Sequence, residues 1–306
     1  MKCDDQLPKI VAILGTNASG KSELAIRLAR DFNGEIISAD SRQVYQGLYL
    51  CSGKVRPSER QGIPHHLLDV VDVGVEFSLA HYQRLGYDAI DGVLARQHLP
   101  FVVGGTGLYL QSIIDGYTLV DAPPNQPLRT ELEAKPLEEL ADILKTENPQ
   151  TAALIELHNR RRIIRALEIH RSGFDYQTTR TRRPRYRTLM LGVTWSRDVL
   201  LDRIEQRLRR RVREGMVNEV RDLLDAGVSQ KTVDDLGLEF RHVLRFLQGE
   251  YRTEEELIEK LKIAIRQFAR RQVAWFKRDS RIVWLDTATD YYGEAQSRIR
   301  EWIDRD

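Results

Sequence analysis

The sequence predicts an α/β fold of the P-loop NTPase type, in which a parallel sheet is flanked by helices and interrupted by a mainly helical insertion. Two observations carry this prediction. A glycine-rich segment at 15–22 lies between an apolar run and an amphipathic helical pattern, the context in which phosphate-binding loops occur. Short apolar runs then alternate with helical patterns along the first third of the chain, which favours a parallel sheet covered on both faces.

The elements of this fold follow from apolar periodicity. Short apolar runs of the kind found in buried parallel strands occur at 10–14, 35–38, 99–103, 189–195 and 282–285. Helical patterns are found at 21–32, 77–96, 197–226 and 253–278. Ser78 is the expected N-cap of the helix at 77–96, because its hydroxyl can accept a hydrogen bond from a free N–H of the first turn.

A proline-rich segment at 121–127 breaks the alternation and indicates a domain boundary. The chain is then mostly helical in pattern to about residue 173, and a loop rich in Thr, Arg and Pro follows at 178–187. We therefore predict a P-loop core formed by 1–122 and 188–306, with a helical, basic insertion at 123–187 that contacts RNA.

Composition sets further limits. The 306 residues are 42% hydrophobic, which is enough to build a core, and the formal net charge of +2 means that any nucleic-acid-binding surface has to be local. Cys3 and Cys51 are far apart in the sequence and suit reduced thiols. No signal peptide and no apolar run near the roughly 20 residues of a membrane span is found, so we expect a soluble, cytoplasmic monomer without a membrane segment.

The glycine-rich segment has the Gly-x4-Gly-Lys-Ser pattern of a loop that holds a di- or triphosphate. Backbone N–H groups and the helix N-terminus point at the anion in such loops, and Lys21 adds a point charge. Mg2+ is the expected cofactor, and the Ser22 hydroxyl is its candidate ligand. The predicted phosphate-binding residues are Gly15, Thr16, Asn17, Ala18, Ser19, Gly20, Lys21 and Ser22.

The acidic residue that ATPases and GTPases place after a neighbouring strand is missing, because the strand at 99–103 is followed by Gly104-Gly105-Thr106. Asp40, which follows the strand at 35–38, is the candidate carboxylate instead. Ligands of open α/β sheets bind outside the carboxyl ends of the strands. Asp40, Thr106 and the phosphate loop are therefore expected to meet in one crevice.

Several segments, in sequence order, resemble the tRNA dimethylallyltransferases (the tRNA isopentenyltransferase family), of the bacterial type that has no zinc-finger tail. The matching segments are Gly-Thr-Asn-Ala-Ser-Gly-Lys-Ser at 15–22, Ile-Ser-Ala-Asp-Ser-Arg-Gln-Val-Tyr at 37–45, Pro-His-His-Leu-Leu-Asp at 64–69, Val-Gly-Gly-Thr-Gly-Leu-Tyr at 103–109, Arg-Arg-Ile-Ile-Arg-Ala-Leu-Glu at 161–168 and Ala-Arg-Arg-Gln at 269–272. The sequence departs from the family at Thr16-Asn17, where Pro-Thr is usual, and at 237–240, where a Gly-Tyr segment is typical.

The resemblance implies transfer of a dimethylallyl group from dimethylallyl diphosphate to the N6 amine of an adenine beside the tRNA anticodon. It implies that the loop and Lys21 bind the diphosphate with Mg2+ at Ser22. It further implies that Asp40 is the general base and that Thr106 contacts the reacting groups, so that Lys21, Asp40 and Thr106 are catalytic. The residues that it places against tRNA are Asp40, Ser41, Arg42, Gln43, Thr106, Arg129, Arg161, Arg162, Ile163, Ile164 and Arg165.

Elementary chemistry agrees with these roles. The adenine amine is a weak nucleophile, because its lone pair is delocalised into the ring, so its proton has to be accepted as the new bond forms. One positioned carboxylate can accept it and typically contributes about 10²- to 10⁴-fold. The leaving diphosphate needs fixed donors for its growing charge, and the target base has to leave its stack for a pocket with a basic rim.

Two arginine-rich segments bear on the partner. The segment 158–187 carries ten arginines against two acidic residues and includes Tyr186 among arginines, which suits phosphate contact combined with base stacking. A second cluster contains Arg203, Arg207, Arg210, Arg211 and Arg213. Because glutamates are interspersed with these arginines, a salt-bridged surface and an RNA-binding surface are equally good interpretations of this second cluster.

The residues alone leave three alternatives to a tRNA-modifying enzyme. The first is the same chemistry on free AMP or ADP, against which the basic insertion counts. The second is a nucleotide kinase, against which the missing acid counts. The third is a non-catalytic RNA-binding module, which would have no need of Lys21, Ser22, Asp40 and Thr106 together.

Overall fold

A computed structural model describes residues 6–120 and 122–305, so Cys3 and Asp121 lie outside the described part. The chain divides into two compact units, Met1–Ile114 with Arg185–Asp306, and Asp115–Pro184. The second unit starts earlier in the chain than the proline-rich segment, because its two ends are tied together. The Arg183 N–H donates to the Gly116 carbonyl at 2.9 Å, and the Thr118 N–H donates to the Thr181 carbonyl at 3.3 Å.

The first unit is built on one six-stranded sheet in which every neighbouring pair of strands is parallel. In chain order the strands are β1 (Lys9–Gly15), β2 (Gly34–Ala39), β3 (His65–His66), β4 (Leu99–Gly104), β5 (Arg187–Val193) and β6 (Val283–Leu285). They are arranged in the order β3-β2-β4-β1-β5-β6. All five predicted strands are confirmed, whereas β3 was missed because two residues carry no periodicity.

Helices cover the sheet and make up most of the second unit. In chain order they are α1 (Lys21–Asp31), α2 (Leu79–Ala95), α3 (Gly107–Ile114), α4 (Gln126–Glu133), α5 (Leu137–Glu147), α6 (Pro149–Ala152), α7 (Arg160–Arg171), α8 (Arg197–Arg213), α9 (Met216–Asp225), α10 (Gln230–Leu236), α11 (Leu238–Leu247), α12 (Glu254–Phe276) and α13 (Tyr291–Asp304). Ser78 caps α2 as predicted, since its side chain accepts from the His81 N–H.

Alternate residues of β1 face opposite layers, as the period of two requires. Ile10, Ala12 and Leu14 pack against buried residues of α2 and α3 on one face of the sheet. Val11 and Ile13 pack against α1 and α13 on the other face. The sheet is therefore covered on both sides, and every residue of β1 after Lys9 is buried.

The single helix predicted at 197–226 is wrong, because the chain forms α8 and α9 with Gly215 between them. Gly215 has φ 102°, a left-handed conformation that ends α8 and allows the chain to turn. Helices α8 to α12 then enclose a third hydrophobic cluster, which also takes in Leu48 and Cys51 from the loop after β2. This cluster holds α8 beside the carboxyl edge of the sheet.

The second unit is a small helical body with its own core. Apolar side chains of α4, α5 and α7 pack together, including Leu132, Leu140, Leu144 and Leu167. Buried Glu168 accepts from Arg129 on α4 at 2.7 and 3.1 Å, which ties α4 to α7.

No helix in the described part of either unit combines the length and apolar character needed to cross a membrane.

Candidate active site

The loops after β1, β2 and β4 meet at one edge of the sheet. Leu14 and Ala39 are both in register with Gly104, so the ends of the three strands lie side by side. A Cβ at Gly104 would lie 2.0 Å from the Ala39 carbonyl oxygen, so only glycine permits this approach. The structure thus brings Asp40, Thr106 and the phosphate loop together.

The phosphate loop has the backbone geometry of an anion cradle. Gly20 has φ 87° and Ala18 has φ 61°, and the Ser19 N–H closes a turn onto the Thr16 carbonyl at 3.2 Å. The hydroxyls of Thr16 and Ser19 are buried and have no hydrogen-bond partner among the described residues. Buried polar groups without partners are uncommon, so these two hydroxyls of the loop are candidate donors to a bound phosphate.

Lys21 is held inside this loop, where its Nζ donates to the Thr16 carbonyl at 3.2 Å. Burial lowers the pKa of Lys21 to about 8, an effect that attraction by Asp40 opposes and that repulsion by Arg207 and Arg211 reinforces. Burial therefore disfavours the charged form of Lys21, and a bound phosphate would stabilise that form.

Asp40 is fixed by its own turn. One carboxylate oxygen accepts the Arg42 N–H at 2.9 Å. The Ser41 N–H donates to the Thr106 hydroxyl at 3.2 Å, and the Thr106 N–H donates to the Ala39 carbonyl at 3.2 Å. The backbone that follows β2 is thus linked to Thr106 after β4, which holds the turn that carries Asp40 beside the phosphate loop.

Gln43 links this turn to the following loop. Ser38 Oγ donates to Gln43 Oε1 at 3.0 Å, and Gln43 Nε2 donates to the Gly53 carbonyl at 3.4 Å. The segment just before Gly53 is itself anchored to α9, since the Glu219 carboxylate accepts the N–H groups of Tyr49, Leu50 and Cys51 at 2.7, 2.7 and 2.8 Å.

Gln272 on α12 bridges the two glycine-rich loops. Its Oε1 accepts the Asn17 N–H at 3.0 Å, and its Nε2 donates to the Gly105 carbonyl at 2.9 Å. Sequence reasoning placed Gln272 in a matching motif but gave it no role, because nothing in the pattern shows that α12 returns to the loop.

Three arginines of α8 face the site. From the sequence alone, a salt-bridged surface was an equally good interpretation of this arginine cluster. Arg203 donates to the Ala18 carbonyl at 2.8 Å, Arg207 donates to the Gly53 carbonyl at 3.3 Å, and Arg211 lies one turn further on. Their spacing of four residues was the available signal, because it puts all three on one face. Arg210 of this cluster does form a surface ion pair, with Glu214, and the neighbouring Arg209 pairs with Glu255.

The Ser22 hydroxyl is the candidate protein ligand for a magnesium ion at this site. A small cavity beside the loop is lined by Ser22, Ser38 and Gln43 together with His65 and four apolar side chains, so oxygen-bearing groups form only part of its wall. The described residues hold no group of three His, Cys, Asp or Glu side chains suited to a metal. Mg2+ keeps several waters and takes few protein ligands beside phosphate oxygens, so the lack of such a cluster does not argue against it.

The residues of the second unit that the resemblance placed against tRNA differ in accessibility. Ile163 and Ile164 are 0% and 5% exposed and belong to the core, so their side chains do not face solvent. Arg129 and Arg165 both bind buried Glu168, and Arg162 pairs with Glu156. Arg161 is exposed. Of this set, Arg161 is the residue whose charge faces solvent without a carboxylate among the described residues.

Fold and site together place the chain among α/β proteins with a P-loop-like fold, in which a glycine-rich loop lies at the carboxyl edge of a parallel sheet. The profile of the family described as IPP transferase matches residues 43–279, and that described as isopentenyl transferase matches 8–75. The chain belongs to the IPP transferase family and is an enzyme that transfers prenyl groups.

Individual relatives agree with this membership. A tRNA dimethylallyltransferase 2 of Trichlorobacter lovleyi is 44% identical over 95% of this chain and 96% of its own length. A tRNA dimethylallyltransferase 1 of Syntrophus aciditrophicus is 41% identical over 92% of this chain and 94% of its own.

Solved structures are similar over almost the whole chain. The tRNA isopentenylpyrophosphate transferase of Bacillus halodurans superposes with a TM-score of 0.71 at 36% identity, covering 96% of this chain and 95% of its own. A eukaryotic dimethylallyltransferase acting on tRNA gives a TM-score of 0.80 at 28% identity, covering 97% and 78%. The predicted fold class and the family resemblance are confirmed.

Proposed function

We propose that the protein transfers a dimethylallyl group from dimethylallyl diphosphate to the N6 amine of an adenine beside the anticodon of tRNA. The observation that carries this proposal is the turn of Asp40, which is linked to Thr106 through the Ser41 N–H and lies beside the loop of Lys21. A carboxylate next to a diphosphate cradle suits an acceptor that has to lose a proton while a diphosphate leaves. The names of the relatives, all tRNA dimethylallyl- or isopentenyltransferases, support the same acceptor.

In the proposed reaction the N6 nitrogen attacks the carbon that bears the diphosphate. The new N–C bond forms as the C–O bond breaks, and the electron pair of that bond stays on the leaving diphosphate. The N6 proton passes to a carboxylate oxygen of Asp40, while the Arg42 N–H keeps that side chain oriented. Lys21 and the loop N–H groups stabilise the charge on the leaving group.

Mg2+ belongs to this proposal, with Ser22 as the protein ligand and diphosphate oxygens and water as the others. When bound, it supplies positive charge that offsets the charge developing on the diphosphate. Thr106 positions the Asp40 turn through its hydroxyl, which accepts from Ser41.

The second unit supplies the proposed RNA contact. Arg161 and the loop that carries Arg180 and Arg183 present cations to solvent. Such cations neutralise backbone phosphates and position the nucleic acid without reading its sequence. A cytoplasmic monomer remains the expectation from the sequence.

Acceptor competition tests the proposal. The enzyme is incubated with labelled dimethylallyl diphosphate, Mg2+ and equal concentrations of unmodified tRNA and AMP. We expect the label in tRNA. Preferential labelling of AMP would favour the mononucleotide alternative, and phosphate transfer from ATP without prenyl transfer would favour a kinase.

A further inference from the structure

Two backbone carbonyls of the glycine-rich loop are turned outward and held there by side chains. The Ala18 carbonyl accepts from Arg203 Nε at 2.8 Å, and the Ser19 carbonyl accepts from the indole Nε1 of Trp195 at 2.8 Å. A carbonyl oxygen carries a partial negative charge, so turning it outward keeps that charge away from an anion in the loop. Trp195 differs from the cations around the loop, because an indole N–H is a neutral donor.

The bond from Trp195 fixes the orientation of one peptide group. The peptide between Ser19 and Gly20 is trans and planar, so its C=O and its N–H point in opposite directions. The Gly20 N–H therefore points away from Trp195. It has no acceptor among the described residues, whereas the N–H groups of Asn17 and Ser19 are already engaged, by Gln272 and by the Thr16 carbonyl.

Gly20 does not fix this peptide by itself. Its φ is 87°, and glycine adopts positive and negative φ about equally readily. Rotation of the Ser19–Gly20 peptide about its flanking bonds would turn the Ser19 carbonyl towards a bound anion and the Gly20 N–H away from it. The hydrogen bond from Trp195 opposes this rotation.

The fold holds the Trp195 ring in place. Gly15 is in register with Val193, so the chain after β5 emerges beside the loop that follows β1. The Arg203 guanidinium lies 4.7 Å from the centroid of the Trp195 ring, and the Tyr291 ring meets it at 6.0 Å with an interplanar angle of 75°. Two neighbours thus restrict the ring, which gives its N–H a defined direction.

Resting on the prenyl transfer proposed above, we propose that Trp195 is a positioning residue for the donor. Its indole N–H holds the Ser19–Gly20 peptide in the orientation in which the Gly20 N–H binds a phosphate oxygen of dimethylallyl diphosphate. Without this bond the peptide rotates in the empty enzyme and has to be turned when the donor binds. The free-energy cost therefore falls on donor binding and not on the transfer step.

Calorimetry of pyrophosphate binding to the full-length protein with Mg2+ tests this role, together with steady-state transfer to tRNA. Trp195→Phe keeps an aromatic ring beside Arg203 and removes the N–H. We expect pyrophosphate affinity to fall about 2- to 10-fold, the effect of one net hydrogen bond, and KM for the donor to rise by the same factor. We expect kcat and tRNA affinity to stay unchanged, because only uniform binding of the donor is lost.

Trp302→Phe is the matched control. The indole Nε1 of Trp302 is buried and has no hydrogen-bond partner among the described residues, so the same substitution removes an N–H that holds no loop. Its pyrophosphate and tRNA affinities are expected to equal those of the wild type. Replacing the Trp195 indole by benzothiophene, which keeps the shape and has sulfur in place of the N–H, is expected to reproduce Trp195→Phe. This replacement decides the question if Trp195→Phe does not fold.

Three results would overturn the role of Trp195. A pyrophosphate affinity equal to that of Trp302→Phe would show that the bond orients nothing. A lower kcat at unchanged KM would move Trp195 to the transfer step. Equal weakening of pyrophosphate and tRNA binding would show that Trp195 only supports the fold. A wild-type protein that binds pyrophosphate but transfers no prenyl group would refute the proposed function, and the pyrophosphate affinities would still decide the role of Trp195.

Discussion

Two roles are open to the Asp40 carboxylate, general base and metal ligand, and they predict different failures when the residue is replaced. A general base would be needed in the transfer step, whereas a metal ligand would be needed for Mg2+ affinity. One carboxylate oxygen is already engaged by the Arg42 N–H, which orients the side chain.

For Asp40→Asn we expect unchanged pyrophosphate and tRNA binding and a transfer step slower by about 10²- to 10⁴-fold. The amide keeps the shape of the side chain but cannot accept the N6 proton. Single-turnover transfer measured across a Mg2+ titration checks this, with Asp88→Asn on the exposed side of α2 as the control. Recovery of the rate at high Mg2+ would assign Asp40 to the metal instead.

Lys21 makes donor binding dependent on pH. Burial lowers its pKa to about 8, so in the free enzyme the ammonium is charged below this pH and loses its proton above it. Because only the charged form attracts diphosphate, kcat/KM for the donor is expected to fall as the pH rises through about 8.

Lys21→Arg supplies the control for this profile. Its charge persists to higher pH, so its kcat/KM, although reduced by altered geometry, is expected to stay flat across the same range. A fall near pH 8 in both proteins would assign the transition to another group.

At the scale of strands and helices, the Glu35 carboxylate connects several elements of the first unit through its hydrogen bonds. It lies on β2, is 3% exposed and accepts from Arg96 after α2 at 2.9 and 2.7 Å. It also bonds His66 on β3 at 2.6 Å and His98 before β4 at 2.7 Å. The hydrogen bonds from Arg96 are the largest of the influences that lower the pKa of Glu35, to about 2.

Glu35→Gln is expected to reduce the free energy of unfolding by about 1–3 kcal/mol, because charge-assisted bonds are lost around a buried group. The folded pKa lies below the unfolded one, so the stabilisation from Glu35 is present above about pH 4.5 and is lost as the pH falls towards 2. Urea unfolding at several pH values measures this loss. Glu131→Gln, at an exposed position on α4, should change nothing; equal losses in both variants would contradict the account.

Elements with strong periodicity were predictable, and those set by single backbone positions were not. The apolar runs of β1, β2 and β4 specify buried parallel strands, and their order places Asp40 and Thr106 at one edge. The break between α8 and α9 depends on one glycine, Gly215, inside a continuous helical pattern. The convergence of Gln272 and Arg207 on the site depends on how α12 and α8 pack, which local sequence does not record.

For the molecule as a whole, the two units divide the proposed work. The first holds the phosphate loop and the carboxylate, and the second presents arginines on a body with its own core. Much of the positive charge counted in the insertion is neutralised by ion pairs within the protein. The arginines that pair with glutamates there are Arg129, Arg162, Arg165 and Arg171. The exposed arginines without such partners are the ones available to RNA.

Arg161→Ala is expected to weaken tRNA binding and to lower the slope of log affinity against log salt by about 0.7 to 0.9 for the lost phosphate contact. Filter binding across a range of salt concentrations measures both quantities. Arg209→Ala removes the same charge from a residue already paired with Glu255 and should leave the slope unchanged. An unaltered slope in Arg161→Ala would remove this residue from the RNA surface.

The central claim is prenyl transfer to an adenine of tRNA, and mapping the modified nucleotide tests it most directly. Unmodified tRNA is incubated with the enzyme, Mg2+ and labelled dimethylallyl diphosphate, then digested and analysed by mass spectrometry. We predict one added dimethylallyl group, on the N6 of an adenine beside the anticodon, and none with Asp40→Asn over the same time. Label that remains in the diphosphate, or that appears on free AMP while the tRNA stays unmodified, would contradict the account.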